Sequence, residues 1–176
     1  NSMNSRGAAP QDSDRLHQAV EELTAVLVQS GMPRMAARVF AYALAEDSDR
    51  YTAADFAEGL GISPAAVSGA VRHLVSGRLL FKERPPGSRA EEYRVYDEDA
   101  WSAILTARLP MLWMWEQAMR DAADLVGRET RGGQRLAESE EFFGFLRTEF
   151  AELLERWKQH RRQRAAADLA QETPSS

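Results

Sequence analysis

Residues 52–96 read TAADFAEGLGISPAAVSGAVRHLVSGRLLFKERPPGSRAEEYRVY, and the punctuation of that stretch decides the fold. Thr52 with Asp55 three positions on has the spacing of a capping box, ahead of a short helix that packs Phe56 and Leu60 and stops at Gly61. Ser63 then Pro64 opens a second helix, because the hydroxyl accepts an orphan N–H and proline sits where no N–H is needed. Val67, Val71 and Leu74 point inward on it, and Gly77 closes it. Two short helices joined through Gly61 and Ile62 predict a helix-turn-helix. After Gly77 the apolar period becomes strand-like: LLFKER, a PPGSRAE turn and EYRVY predict a hairpin, with Tyr93 and Val95 alternating against Arg94 and Tyr96.

Working outward, Leu16, Val20, Leu23 and Leu27 form one stripe of a helix that begins near Asp12 and ends near Gly31. Pro33 suits the first turn of the next helix, whose apolar face carries Val39, Phe40, Ala43 and Leu44 and which stops near Glu46. On the other side Asp97 can cap a long helix with Trp101, Ile104, Leu105, Leu109, Leu112, Met119 and Leu125, bent at Pro110 and ending near Val126. GRETRGGQ reads as a loop. A last helix carries Phe143, Leu146, Phe150, Leu153 and Trp157 at pairing spacing. The expectation is a mainly α chain with a small β-hairpin wing, a winged helix-turn-helix. Residues 1–11 are expected to be disordered, 12–31 to form an N-terminal dimerisation helix and 32–96 the winged domain. Residues 97–165 should form C-terminal dimerisation helices, and 166–176 a disordered tail.

Bulk composition is that of an ordinary globular chain: 176 residues, 44% hydrophobic and 28% charged. No run is apolar enough for a membrane span, the N-terminus lacks a signal-peptide core, and the cytoplasm is the expected location. With no cysteine, thiol catalysis and zinc-thiolate sites fall away. His17, His73 and His160 lie on separate segments without ligand spacing, so no metal or cofactor is expected. Glu138, Glu140 and Glu141 read as a solvated helix start, and Gly132-Gly133 lacks the Lys-Ser/Thr of a phosphate loop. No catalytic constellation is visible, and an enzyme is not expected.

A net charge of −5 argues against a nucleic-acid partner only until its distribution is read. Ser63 to Tyr96 holds six Lys/Arg and three acids, a net +3 that leaves −8 to the rest. Such asymmetry lets a small basic face meet DNA while an acidic body limits indiscriminate binding. The outward stripe of the second helix, Ala65, Ser68, Gly69 and Arg72 after the Ser63 cap, is small enough for close approach to a major groove. Arg84, Arg89 and Arg94 sit on or beside the hairpin, where a tip arginine can enter the adjacent minor groove; Arg89 is the best single wing contact. The run from Arg156 to Arg164, five Lys/Arg without an acid, suits a helix C-terminus or a brush with DNA.

From Leu60 to Val95 the residues LGISPAAVSGAVRHLVSGRLLFKERPPGSRAEEYRV resemble the MarR superfamily, and in particular its GbsR-like branch. The resemblance implies a homodimer held by N- and C-terminal helices, double-stranded DNA as partner, and a pseudo-palindromic operator. By position it gives Ser68 the role of the family's DNA-contacting hydroxyl and Arg89 that of the wing-tip arginine. Gly69 stands where the family often has arginine, and Gly87 where it has a bracing aspartate; Arg72 is placed to compensate for the first. The dimer interface is expected at Leu16, Val20, Leu23, Leu27, Phe143, Leu146, Phe150, Leu153 and Trp157.

Many relatives bind small aromatic or lipophilic effectors, and Trp101, Met111, Trp113, Met114, Trp115 and Met119 could line such a pocket. Apolar side chains at helical spacing are more often core or interface, so both readings stand. The functional reading is a DNA-binding repressor released by an effector. Its rival is a winged-helix module that binds protein and leaves DNA alone.

Overall fold

The computed structural model describes residues 10–95 and 99–172 and divides the chain into two compact units, 1–98 and 99–176. The first contains α1 (Pro10–Gln29), α2 (Arg34–Ala45), α3 (Ala53–Leu60), α4 (Pro64–Ser76), β1 (Phe81–Glu83) and β2 (Glu92–Arg94). The second contains α5 (Ala100–Thr106), α6 (Leu109–Val126) and α7 (Arg131–Glu172). The fold is mainly helical with one antiparallel two-stranded hairpin, as the sequence implies.

The local signals act through hydrogen bonds. Thr52 and Asp55 exchange side-chain bonds with each other's backbone N–H, at 3.2 and 2.7 Å, a complete capping box. Gly61 takes the left-handed φ of 63° that ends α3. The Ser63 hydroxyl accepts from the Ala66 N–H at 3.2 Å, and Pro64 follows it. At the far end of α4 the left-handed residue is not Gly77 but Arg78, at φ 56°. There the N–H of Leu79 donates to the Leu74 carbonyl at 2.8 Å and turns the chain into the wing.

Apolar residues of α2, α3 and α4 meet in one core: Val39, Phe40, Phe56, Leu60, Val67, Val71 and Leu74 are buried, with Leu80, Tyr93 and Val95 from the wing. Tyr51, between α2 and α3, stacks on Phe56 at 5.0 Å. Its backbone also exchanges two hydrogen bonds with Tyr93, at 2.7 and 2.8 Å, so the link before the reading helices is pinned to β2. Arg38 of α2 donates to the Leu60 carbonyl at 3.4 Å and holds the end of α3.

Several expectations need correction. Val20, assigned to a dimer interface, is 2% exposed within its own protomer, because α1 packs along α2. The long helix after the wing is broken, not bent. Its chain turns at Ala107 and Arg108, Pro110 falls in the first turn of α6, and the Arg108 guanidinium donates to the Ile104 carbonyl at 2.9 Å. Asp97, the expected cap, lies with Tyr96 outside the described residues, as do residues 1–9; Pro10 and Gln11 already belong to α1.

The GRETRGGQ loop is also shorter than expected, since α7 begins at Arg131. The Thr130 hydroxyl accepts from the Gly133 N–H at 3.0 Å and donates to the Gly127 carbonyl at 2.8 Å. A side chain at Gly133 would collide with the Gly127 carbonyl, so glycine is required there. At its other end α7 runs on to Glu172, so the stretch expected as a tail from 166 is helical as far as that residue. The basic run Arg156–Arg164 therefore lies mid-helix, and the helix-end explanation for it fails.

The α6–α7 hairpin is fastened by charge. Glu116, 9% exposed, receives two nitrogens of Arg147 at 2.9 Å, and Gly144 leaves room for its carboxylate. Glu140 is no solvated helix start: it bridges Arg120 at 2.6 Å and Arg128 at 3.1 Å, and these hydrogen bonds hold its carboxyl below the ordinary value. Trp115 meets Phe143 edge-on at 5.0 Å, so part of the stripe on α7 finds its partner in α6 of the same chain. Phe143, Leu146 and Phe150 are half-buried, and Leu154, which the sequence reading passed over, is the buried leucine of that helix. Trp157 donates its indole N–H to Asp99 at 2.8 Å, with Arg161 3.6 Å from the same carboxylate. No helix among the described residues is long and apolar enough to cross a membrane.

Candidate nucleic-acid interface

The helix α4 is a reader by construction. Val67, Ala70, Val71 and Leu74 anchor one side in the core, and Ala65, Ser68, Gly69 and Arg72 are exposed on the other. Gly69 has nothing within 4 Å of the place a Cβ would occupy, so the backbone there is open to a close partner. Ser63 spends its hydroxyl on the cap, which leaves Ser68 as the outward hydroxyl of that helix's first two turns.

The wing pairs Phe81 with Arg94, Lys82 with Tyr93 and Glu83 with Glu92. Its tip turns at Gly87, φ 80°, where the Ser88 N–H donates to the Pro85 carbonyl at 3.0 Å. Here the sequence count of positive charge misleads. Arg94 lies 2.6 Å from Glu83, and Arg84 and Lys82 lie 3.3 and 3.4 Å from the same Glu91 oxygen. Arg50, which the sequence reading did not single out, bridges Glu83 and Glu92 at 3.8 and 3.5 Å. The hairpin's acids thus neutralise most of its cations. Of the proposed contact cations, Arg72 and Arg89 make no ion pair or hydrogen bond with the described residues. Arg94, turned onto Glu83 diagonally across the strand pair, is a poor contact.

Between α4 and the hairpin lies a groove of about 350 Å³ lined by Ser68, Val71, Arg72, Val75, Ser76, Lys82, Glu91 and Tyr93. A hydrogen bond and the charge of Lys82 hold the Glu91 carboxyl below its ordinary value. Burial, then the neighbouring Glu91 charge, pushes the Tyr93 phenol up.

The residues suggested for an effector lie on α5 and α6, largely at the surface. Trp101, Met111, Trp113, Met114 and Trp115 are each about half exposed or more, and Met119 is half-buried. Among the described residues no three metal-ligating side chains cluster.

A helix-turn-helix with an outward polar stripe, flanked by a hairpin with a bare arginine at its tip, defines the class of winged-helix nucleic-acid readers. Comparison with known proteins narrows the class. A MarR family model matches residues 30–90, and a model described as an MmpR5-like MarR family transcriptional regulator matches residues 99–160. Together these matches span more than half of the chain, which belongs to the MarR family of DNA-binding transcriptional regulators. A crystal structure of a transcriptional regulator shares the fold with a TM-score of 0.72 at 18% identity, over 82% of this chain and 99% of that one. No curated protein matches.

Proposed function

We propose that the protein is a homodimeric repressor that binds a pseudo-palindromic operator, each protomer inserting one α4 into the major groove. The observation that carries this reading is the coincidence of Arg72 beside an open Gly69 on α4 with Arg89 at the wing tip, both without an ion-pair partner among the described residues. Ala65 and Ser68 permit the approach, and Arg72 takes a guanine edge or a phosphate. Arg89 takes the minor groove. Two-fold symmetry sets the half-sites about one helical turn apart, and occupancy blocks polymerase.

Support for the dimer comes from apolar surface. Leu23 and Val26 of α1 and Phe142, Phe145 and Leu153 of α7 are exposed in one protomer, apolar side chains that a second copy would take from water. The GbsR-like branch remains our placement, on the residues from Leu60 to Val95. We assign the aromatic and methionine surface of Trp101, Met111, Trp113, Met114, Trp115 and Met119 to a small lipophilic effector, and the cytoplasm as the site of action.

Selection of bound DNA from a random pool at physiological salt, with a measured molecular mass, tests the whole. Arg72→Ala and Arg89→Ala should each weaken binding to the selected site by about 1–3 kcal/mol without unfolding the protein. Unchanged affinity in both sinks the contact assignment. DNA affinity should fall steeply with salt, whereas the rival, a protein-binding winged helix, would hold a largely apolar partner with little salt dependence. All four tryptophans lie between Trp101 and Trp157, so their fluorescence reports titration with a lipophilic ligand.

A further inference from the structure

We propose that Glu91 is a built-in competitor for DNA phosphate, a side chain that limits how tightly and how indiscriminately the wing grips the backbone. The inference rests on the reading of α4 and the wing as DNA contacts. If α4 lies in the major groove and the wing tip in the adjacent minor groove, one sugar-phosphate strand separates the two. That strand must pass through the groove between α4 and the hairpin, the one lined by Ser68, Arg72, Ser76, Lys82 and Glu91. A carboxylate stands in the path of phosphates.

The position of that carboxylate is specific. One oxygen is 3.4 Å from the Lys82 ammonium and 3.3 Å from the Arg84 guanidinium, and the other accepts from the Tyr93 hydroxyl at 3.3 Å. Glu91 thereby occupies both cations of β1 and its extension that a passing phosphate would use, in the geometry an anion takes. These pairs are half-exposed, so each is weak, and a phosphate can displace the carboxylate. The exchange returns little net attraction, since the cations trade one anion for another and the freed carboxylate stays near the strand. Bare cations would instead attract any DNA, matched or not, because backbone contacts carry no sequence information. With Lys82 and Arg84 held by Glu91, the unpaired Arg72 and Arg89 dominate the encounter.

The test compares wild type, Glu91→Gln and Glu92→Gln on the selected operator and on an unrelated duplex across a salt series. The glutamine keeps an acceptor for the Tyr93 hydroxyl but removes the charge. Glu91→Gln should bind both duplexes about three- to tenfold tighter at low salt, with a salt slope steeper by about one to two, as expected for one or two further phosphates neutralised. Glu92→Gln, whose side chain pairs with Arg50 and is not among the groove residues, should change neither. Adding Lys82→Gln to Glu91→Gln should cancel much of the gain. Unchanged or weaker binding by Glu91→Gln, with Arg72→Ala and Arg89→Ala still impaired, overturns the competitor role and leaves the DNA reading intact. A wild-type protein that binds neither duplex in a salt-dependent way overturns both.

Discussion

From α2 to the wing the large apolar side chains lie inside: Phe40, Phe56, Leu74 and Leu80 are fully buried. In α6 and α7 the balance is reversed, with Met114 61% and Phe145 65% exposed while a carboxylate, Glu116, is buried. The first region closes a core of its own and offers a polar face. The second closes its helix pair with ion pairs and leaves apolar surface for something else to cover. Under the proposed function the first meets a polar partner, and the second is where a second copy would cover the exposed apolar side chains.

The contrast can be broken most forcefully in the first core. Phe56→Ala should cost about 3–5 kcal/mol in denaturant unfolding, because it removes a fully buried ring at the meeting point of Tyr42, Tyr51 and Tyr93. Phe145→Ala should cost the protomer little and instead weaken self-association, read by sedimentation across a concentration series. A large loss of protomer stability there would mean the ring is not surface at all. Next in size is Arg147→Ala, which leaves the buried Glu116 carboxylate the more distant Arg120 guanidinium at 3.9 Å; about 2 kcal/mol is expected, discounted for that second partner and because the Arg147 guanidinium is partly wet.

Acid sharpens the same comparison. Glu140 has its carboxyl lowered from 4.5, through hydrogen bonds from Arg120 and then Arg128, so its stabilisation is complete above that value and lost as pH falls through the lower folded one. Wild type should therefore unfold at a higher temperature than Glu140→Gln at neutral pH, and the two should converge in strong acid, as thermal melts followed by circular dichroism will register. The smallest effect belongs to Arg78→Gly. Glycine relieves the left-handed φ of 56° but frees the unfolded chain, leaving a net gain of about 0.5 kcal/mol in thermal unfolding.

Much of this was legible from short-range chemistry. The Thr52–Asp55 box, the Ser63-Pro64 start and the Gly61 stop each depend on atoms within a few residues, so residue identity suffices to place them. The exposed stripe of Ala65, Ser68, Gly69 and Arg72 followed from the same phase. The wing was harder. The sequence put Arg89 first among the wing arginines but kept Arg94 as a contact, whereas Arg94 is held by Glu83 across the strand pair and Arg89 is held by nothing described. Only the folded hairpin shows that pairing.

What the amino-acid order determined by itself is where the helices around the reader start and stop and that they carry apolar faces; past the wing it missed the break between α5 and α6 and the full reach of α7. Tertiary structure alone decided which surface covers each face. It buried Val20 against α2, gave Phe143 to Trp115, tied Tyr51 to β2 and put Glu91 in the groove beside Lys82. The physical reason is range. Caps and helical period are set by bonds spanning three or four residues, whereas burial and ion pairing depend on groups tens of residues apart, whose distance no local pattern encodes.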